Sequence, residues 1–248
     1  MSEIIYGRNP VLEALRARQP IRKLYMLKGA RDRRLSEIEQ RAARLKVTVS
    51  RVEKVKLLEL AGAEKTQGVV ALLARREEAT LVTVFAEARQ RNEPPLIALL
   101  DGIEDPHNLG AILRSADAAG VHGVVLPRRR AAGMGGTVAK TSAGASSHVL
   151  SVSVSNLSAT IDQLKKTNNI WFVGADQHAE KKYTEIDLTG ATGLVIGGEG
   201  KGLHRLVRAK CDFLVRIPMV GKVNSLNASV AAALLFFEAR RQRADKRV

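Results

Sequence analysis

Five short, almost continuous apolar runs punctuate the second half of the chain, at residues 96–100, 121–126, 170–174, 194–197 and 213–217. A strand with one wet face alternates apolar and polar residues. Runs without that alternation are strands buried on both faces, as in a parallel sheet covered by helices on both sides. The intervening segments carry helical spacing: 109–119 stops at Gly120, and 157–166 places Leu157, Ile161 and Leu164 on one face. The pattern predicts a doubly wound α/β domain with a parallel sheet. A last helix over 226–243 groups Leu226, Val230, Ala233 and Phe237 on one stripe and ends in a basic tail expected to be solvated.

The first part of the chain reads differently. Asn9-Pro10 predicts a capped helix start, and strands at 21–27, 47–52 and 68–73 alternate with helices at 35–45 and 55–60. That is a small α/β unit over residues 1–75. The pattern then weakens into charges, one short helical candidate at 84–91, and the pair Pro94-Pro95. These features predict a linker over 76–94 and a larger domain over 95–248.

Charge narrows the partner. Forty Lys+Arg against 25 Asp+Glu leave +15, shared almost evenly between residues 1–93 at +8 and 94–248 at +7. A polyanion, foremost a nucleic acid, is the expected partner of both halves. With three Tyr, five Phe and one Trp, rows of aromatic side chains for stacking bases are not expected. Cys211 is the only cysteine, which excludes an internal disulfide and any multi-cysteine metal site; a cytoplasmic location is expected. The five histidines never fall at metal-ligand spacing, so no metal is expected. The beginning of the sequence does not read as a signal peptide, and the apolar stretch at 230–237 is too short for a membrane span.

In open α/β sheets ligands gather beyond the carboxyl ends of the strands. Three loops there could carry chemistry. The first, 101–110, leads into a helix that Asn108 is expected to cap, with Arg114 on the face of Gly110 and Asp117. Arg114 could bind a phosphate or ribose there, or simply pair with Asp117 three residues on. The second loop, Gly197-Gly198-Glu199-Gly200-Lys201-Gly202, carries four glycines that would let backbone amides approach a ligand. Its spacing matches neither a Walker loop nor a dinucleotide fingerprint. In the third, 217–229, Pro218 ends a strand and Ser225 to Asn227 open the last helix, which is compatible with ordinary capping.

Together the segments N-L-G-A-I-L-R at 108–114, G-G-E-G-K-G-L at 197–203 and I-P-M-V-G-K-V-N-S-L-N-A-S-V-A at 217–231 resemble, in order and spacing, the three motifs of the SpoU/TrmH family of SPOUT methyltransferases. The segments I-Y-G-R-N-P-V-L-E-A-L at 5–15 and Q-G-V-V-A at 67–71 look like the branch that methylates guanosine ribose in bacterial 23S rRNA, although Thr66 stands where those enzymes usually have His.

The resemblance implies an L30e-like α/β N-terminal domain that helps bind RNA, and a catalytic domain closed by a deep trefoil knot. It implies S-adenosylmethionine as methyl donor, a homodimer, and 23S rRNA as substrate. Carried over by motif position, Gly197, Gly198, Ile217 and Leu226 would hold the cofactor. Arg114 would bind the phosphate and polarise the 2′-hydroxyl, while Asn108, Glu199, Ser225 and Asn227 would orient Arg114, the ribose or the cofactor. The competing expectations are another rRNA or tRNA as substrate, and a knotted RNA-binding module without catalysis.

Overall fold

The computed structural model describes residues 4–16, 18–30, 32–63, 65–73, 79–128, 138, 141–142, 145 and 148–246. The chain divides into two compact units, residues 1–77 and 78–248.

The first unit runs β1 (Ile4–Tyr6), α1 (Arg8–Arg16), β2 (Ile21–Leu27), α2 (Arg33–Arg44), β3 (Val49–Val52), α3 (Lys54–Ala61) and β4 (Val69–Leu73). Its sheet has the order β1-β4-β2-β3, with only β2 and β3 parallel to each other. Val11 and Leu15 of α1, Leu35 and Ile38 of α2, and Leu24 and Met26 of β2 close one apolar core. Helix α1 begins two residues earlier than Asn9-Pro10 suggests, and Asn9 Oδ1 accepts from Arg34 Nη1 at 2.9 Å instead of capping. Asp32 does cap α2, accepting from the amides of Arg34 and Leu35.

The second unit opens with α4 (Leu81–Gln90), capped by Thr80, whose side chain accepts from the amide of Thr83. Val84, Phe85 and Ala88 of α4 are buried, and Val84 and Phe85 join the apolar core of this unit, so the stretch read as linker contributes a packed helix. Then follow β5 (Leu96–Asp101), α5 (Pro106–Ala119), β6 (Gly123–Pro127), β7 (Ser151–Val154), α6 (Leu157–Asn168), β8 (Trp171–Ala175) and β9 (Lys181–Lys182). A short 3-10 turn (Tyr183–Glu185), β10 (Thr192–Gly197), α7 (Arg205–Arg208), β11 (Phe213–Arg216) and α8 (Ala228–Asp245) complete it.

The seven strands are all parallel, in the order β7-β6-β5-β10-β8-β11-β9. Both faces are covered, and β5 shows how. Leu96, Ala98 and Leu100 face the core shared with α5 and α8, whereas Ile97 and Leu99 face the one shared with α4 and α6. This is the doubly wound α/β arrangement, and it explains why the strands show no polar period. At Gly193 a Cβ would stand 2.4 Å from the Phe172 ring, so the glycine makes room for the largest fully buried side chain on β8.

Two expectations about α8 are corrected. Its inward stripe is Ala228, Ala232, Leu235, Phe236 and Ala239, while Val230 and Phe237 point to solvent at 46% and 50% exposure. The helix is apolar on two faces, so its spacing does not identify the inner one. The expectation of a solvated tail fails at Arg243, although Arg241, Ala244, Asp245 and Lys246 around it are exposed. Arg243 is buried and donates to the carbonyl oxygens of Pro94, Pro95, Leu188 and Gly190. Four carbonyl partners satisfy a guanidinium that would otherwise be costly to bury.

Candidate active site

The carboxyl ends of β8, β10 and β11 open into a cavity of about 750 Å³, within the range of about 300–1,000 Å³ usual for small-molecule sites. Apolar walls come from Ile196, Leu203, Val215, Ile217, Met219 and Leu226, and polar groups from Asp176, Glu199, Ser225 and Arg208. Such a lining suits a ligand with a flat heterocycle and charged or hydroxylated ends.

The glycine loop forms one wall. After β10 the chain doubles back: the Gly198 amide donates to Asp101 O at 2.8 Å, and the Gly202 amide donates to Gly198 O at 3.0 Å. A Cβ on Gly197 would lie 2.2 Å from the Gly202 carbonyl carbon, and one on Gly198 would lie 2.3 Å from Gly102 O. Gly200 and Gly202 have φ of +80° and +62°, the left-handed region that suits glycine. The four glycines therefore serve the loop's own closure. The amides of Gly198, Lys201 and Gly202 are already spent on backbone carbonyls, which leaves fewer for a ligand than the sequence suggests.

Beside this loop stands a triangle of side chains from all three candidate segments. Asn108 Nδ2 donates to Glu199 Oε1 at 2.9 Å, and Asn227 Nδ2 donates both to Glu199 Oε1 at 2.5 Å and to Asn108 Oδ1 at 2.9 Å. Asn227 is also the N-cap of α8, its Oδ1 accepting from the Ser229 amide and hydroxyl. Asn108 is not a cap. Asp105 takes that role for α5 and Pro106 fills the first helical position, so the helix starts three residues early and Asn108 is free to turn towards Glu199.

A second hydrogen-bonded clasp joins β5 to the same loop. Asp101 is buried at the end of β5 and accepts from the His204 amide at 2.7 Å, with the His204 ring Nδ1 2.9 Å from its other oxygen. On the cavity lining, Asp176 accepts from Arg208 Nε and from the His178 amide. Burial works to raise the Asp176 carboxyl, but the bonds from Arg208 and the His178 amide outweigh it and hold the group below the usual aspartate value.

The family model for the SpoU rRNA methylase family matches residues 95–237, and that for RNA 2′-O ribose methyltransferase substrate binding matches residues 4–79. The chain belongs to the SpoU rRNA methylase family.

Among its relatives, YacO of Bacillus subtilis (strain 168), provisionally assigned to the TrmH family of tRNA/rRNA methyltransferases, is 43% identical over 97% of this chain and 96% of its own length. A Staphylococcus aureus (strain MSSA476) protein of the same provisional assignment is 44% identical over 98% and 97%. Among solved structures, the SpoU methyltransferase AviRb of Streptomyces viridochromogenes, crystallised with AdoMet, superposes with a TM-score of 0.71. It is 28% identical over 98% of this chain and 90% of its own.

As a SpoU-family RNA methyltransferase, the protein gathers most of its sequence-identified residues at one place. Gly197, Gly198, Ile217 and Leu226 line the cavity, as do Glu199, Ser225 and Asn227. Asn108 does not line it but reaches it through Glu199 and Asn227. Ser225 is exposed and makes no hydrogen bond with a described residue. Arg114 lies outside the lining, exposed on α5, and has neither an ion pair nor a hydrogen bond among the described residues; the alternative pairing with Asp117 does not form.

Asp101, His204, Asp176 and Arg208 were not singled out by sequence. Asp101 and Asp176 each stand where an apolar run ends, so reading the residue after every buried strand would have found both. Nothing in the spacing points to their partners, 103 and 32 residues away. Cys211 is half-buried beside β11, and burial pushes its thiol up to about 12, which removes it from nucleophilic chemistry. Among the described residues no cluster of His, Cys, Asp and Glu could hold a metal ion, and no helix is long and apolar enough to cross a membrane.

Proposed function

We propose that the protein transfers a methyl group from S-adenosylmethionine to a ribose 2′-hydroxyl of guanosine in 23S rRNA, in the cytoplasm, as a homodimer. The observation that carries the reading is the closed triangle of Asn108, Glu199 and Asn227 at the cavity. It brings together three segments separated by up to 119 residues, each supplying one member. The apolar walls and polar ends of the cavity suit the cofactor's adenine, ribose and amino acid, and Gly197, Gly198, Ile217 and Leu226 would hold it. When bound, the cofactor supplies an electrophilic methyl on a sulfonium.

The chain's own residues do the rest. Transfer needs the ribose oxygen in line with the methyl and some stabilisation of the charge that develops as the oxygen loses its proton. Arg114 binds the adjoining phosphate and polarises the hydroxyl; its unengaged guanidinium is available for both. A guanidinium gives up its proton too reluctantly to serve easily as the base. Glu199, fixed by two amide donors to Oε1, keeps Oε2 for an incoming donor such as a ribose hydroxyl. Ser225 lies exposed on the cavity rim, where it can reach the same ribose.

The first unit serves as the RNA-binding domain, a reading supported by its family match and its share of the positive charge. The dimer is supported by the outward stripe of α8, where Val230, Leu234 and Phe237 recur at helical spacing on an exposed face. The family assignments of the relatives span tRNA and rRNA, which keeps tRNA as the second reading of the substrate.

The test is to incubate the protein with methyl-labelled S-adenosylmethionine and either 23S rRNA or bulk tRNA, then map ribose methylation by primer extension at low nucleotide concentration. Label at one guanosine of 23S rRNA is the expected result. Label confined to tRNA replaces the substrate, and no label in either RNA sinks the assignment.

A further inference from the structure

The cavity has a second group of polar side chains besides the triangle. Asp176 leaves the tip of β8 and Arg208 closes α7. Both line the cavity, where Asp176 Oδ2 accepts from Arg208 Nε at 2.5 Å and Asp176 Oδ1 accepts from the His178 amide at 2.8 Å. The pair is unevenly buried, with the carboxylate 12% exposed and the guanidinium 47%. An exposed ion pair of this kind contributes little to stability. Its geometry is more informative. The bond to Nε fixes the guanidinium plane, while the two Nη groups have no partner among the described residues.

A held guanidinium with its Nη edge unengaged offers parallel donors spaced for a carboxylate or phosphate. Asp176 uses one lone pair on each oxygen and keeps capacity for a further donor, which its low carboxyl pKa maintains in the charged form. The two side chains therefore present an anion site and a cation site next to each other. In S-adenosylmethionine the adenine and ribose are neutral, and only the amino-acid end carries a carboxylate and an ammonium on one carbon.

Sheet order agrees with this orientation. Strand β10 lies between β5 and β8, so the tip of β8 stands about 10 Å from that of β5, two strand spacings away. Glu199 follows β10, one strand spacing of about 5 Å from the tip of β8, so the pair can hold the amino acid while the sulfonium stays within reach of the triangle.

We propose that Asp176 and Arg208 recognise the amino-acid end of the cofactor, Arg208 through its two Nη groups to the carboxylate and Asp176 to the ammonium. The assignment rests on the placement of the cofactor in this cavity.

Two ligands isolate the amino acid. S-adenosylhomocysteine retains it, and 5′-methylthioadenosine keeps the adenosine and thioether without it. In calorimetric titrations, Arg208→Ala is expected to weaken S-adenosylhomocysteine about 10- to 100-fold, the range for a charge-assisted contact, and to change 5′-methylthioadenosine by less than about twofold. Arg208→Lys, which keeps the charge without the paired donors, should fall between. Asp176→Asn should weaken S-adenosylhomocysteine selectively as well.

Equal loss of both ligands would make the pair a structural wall and overturn the proposal, as would no loss of either. Loss confined to RNA affinity would also overturn it and assign Arg208 to a phosphate. Ser225→Trp separates the underlying placement. Ser225 is exposed and unbonded, so bulk added at this lining position narrows the cavity without disturbing the core, and both ligands should be weakened. If neither is weakened in that variant, the cofactor lies elsewhere and the placement itself fails.

Discussion

Asn227 performs two tasks with one amide. Its oxygen caps α8 and its nitrogen donates into the triangle with Asn108 and Glu199. Asn227→Asp separates them, because aspartate caps a helix as well as asparagine but cannot donate, and it sets a second carboxylate against Glu199. Methyl transfer should fall about 10²-fold or more, the usual scale for a lost active-site donor, while the melting temperature shifts by only a few degrees. A drop of tens of degrees would show that the triangle serves folding more than chemistry. Arg114→Ala should abolish transfer and leave S-adenosylhomocysteine affinity within about threefold, since Arg114 lies outside the cavity. Loss of ligand binding in that variant would reassign the residue.

At the scale of elements, the strands were legible because burial on both faces erases the polar period; the five apolar runs coincide with β5, β6, β8, β10 and β11 within a few residues. Strands β7 and β9 were not: β7 alternates serine with valine and is only partly buried, and β9 consists of two exposed lysines that pair with β11 through backbone alone. The glycine loop and the last helix start were visible as punctuation, but contacts between Asn108 and Glu199, 91 residues apart, follow from the strand order and not from any local pattern.

Helix α8 illustrates the same limit from the other side, since two apolar faces leave its orientation open until its neighbours are known. If the outward face is a dimer contact, Phe237→Glu should give a folded monomer by light scattering, whereas an unchanged mass would remove Phe237 from any interface.

The junction of α4, β5 and β6 carries a pH dependence. His122 is buried at the entry to β6, its Nδ1 accepts from the Leu96 amide at 2.9 Å, and its Nε2 lies 3.3 Å from Glu93, within ion-pair reach but off the line of a hydrogen bond. Burial lowers the imidazole below its ordinary 6.5, although Glu93 works the other way. The folded state thus binds the proton less readily than the unfolded one. This contribution to stability is full above about pH 6.5 and is lost as the pH falls through that value. Melting temperature should decline between about pH 7.5 and 5.5, and His122→Asn should flatten the decline. An equally steep decline in the variant would place the titrating group elsewhere.

For the whole molecule, charge and architecture act together. Both units carry the excess of Lys and Arg, so both contribute phosphate contacts if RNA spans them. With about six contacts, RNA affinity should fall about 10³-fold between roughly 50 and 200 mM monovalent salt. A nearly flat salt profile would mean that the +15 is surface charge without a phosphate partner.

Arg243 also has a consequence for how such a chain is made. It ties α8 to the carbonyls of Pro94 and Pro95, 149 and 148 residues upstream, where β5 begins. The first strand of the second unit is therefore secured by a side chain near the end of the last helix. During synthesis the first unit can form its core early, but the second holds an incomplete one until α8 has emerged. Until then the strands that carry the methyltransferase cavity lack the helix that closes one of their two cores, and a chaperone that shields nascent chains has its task there.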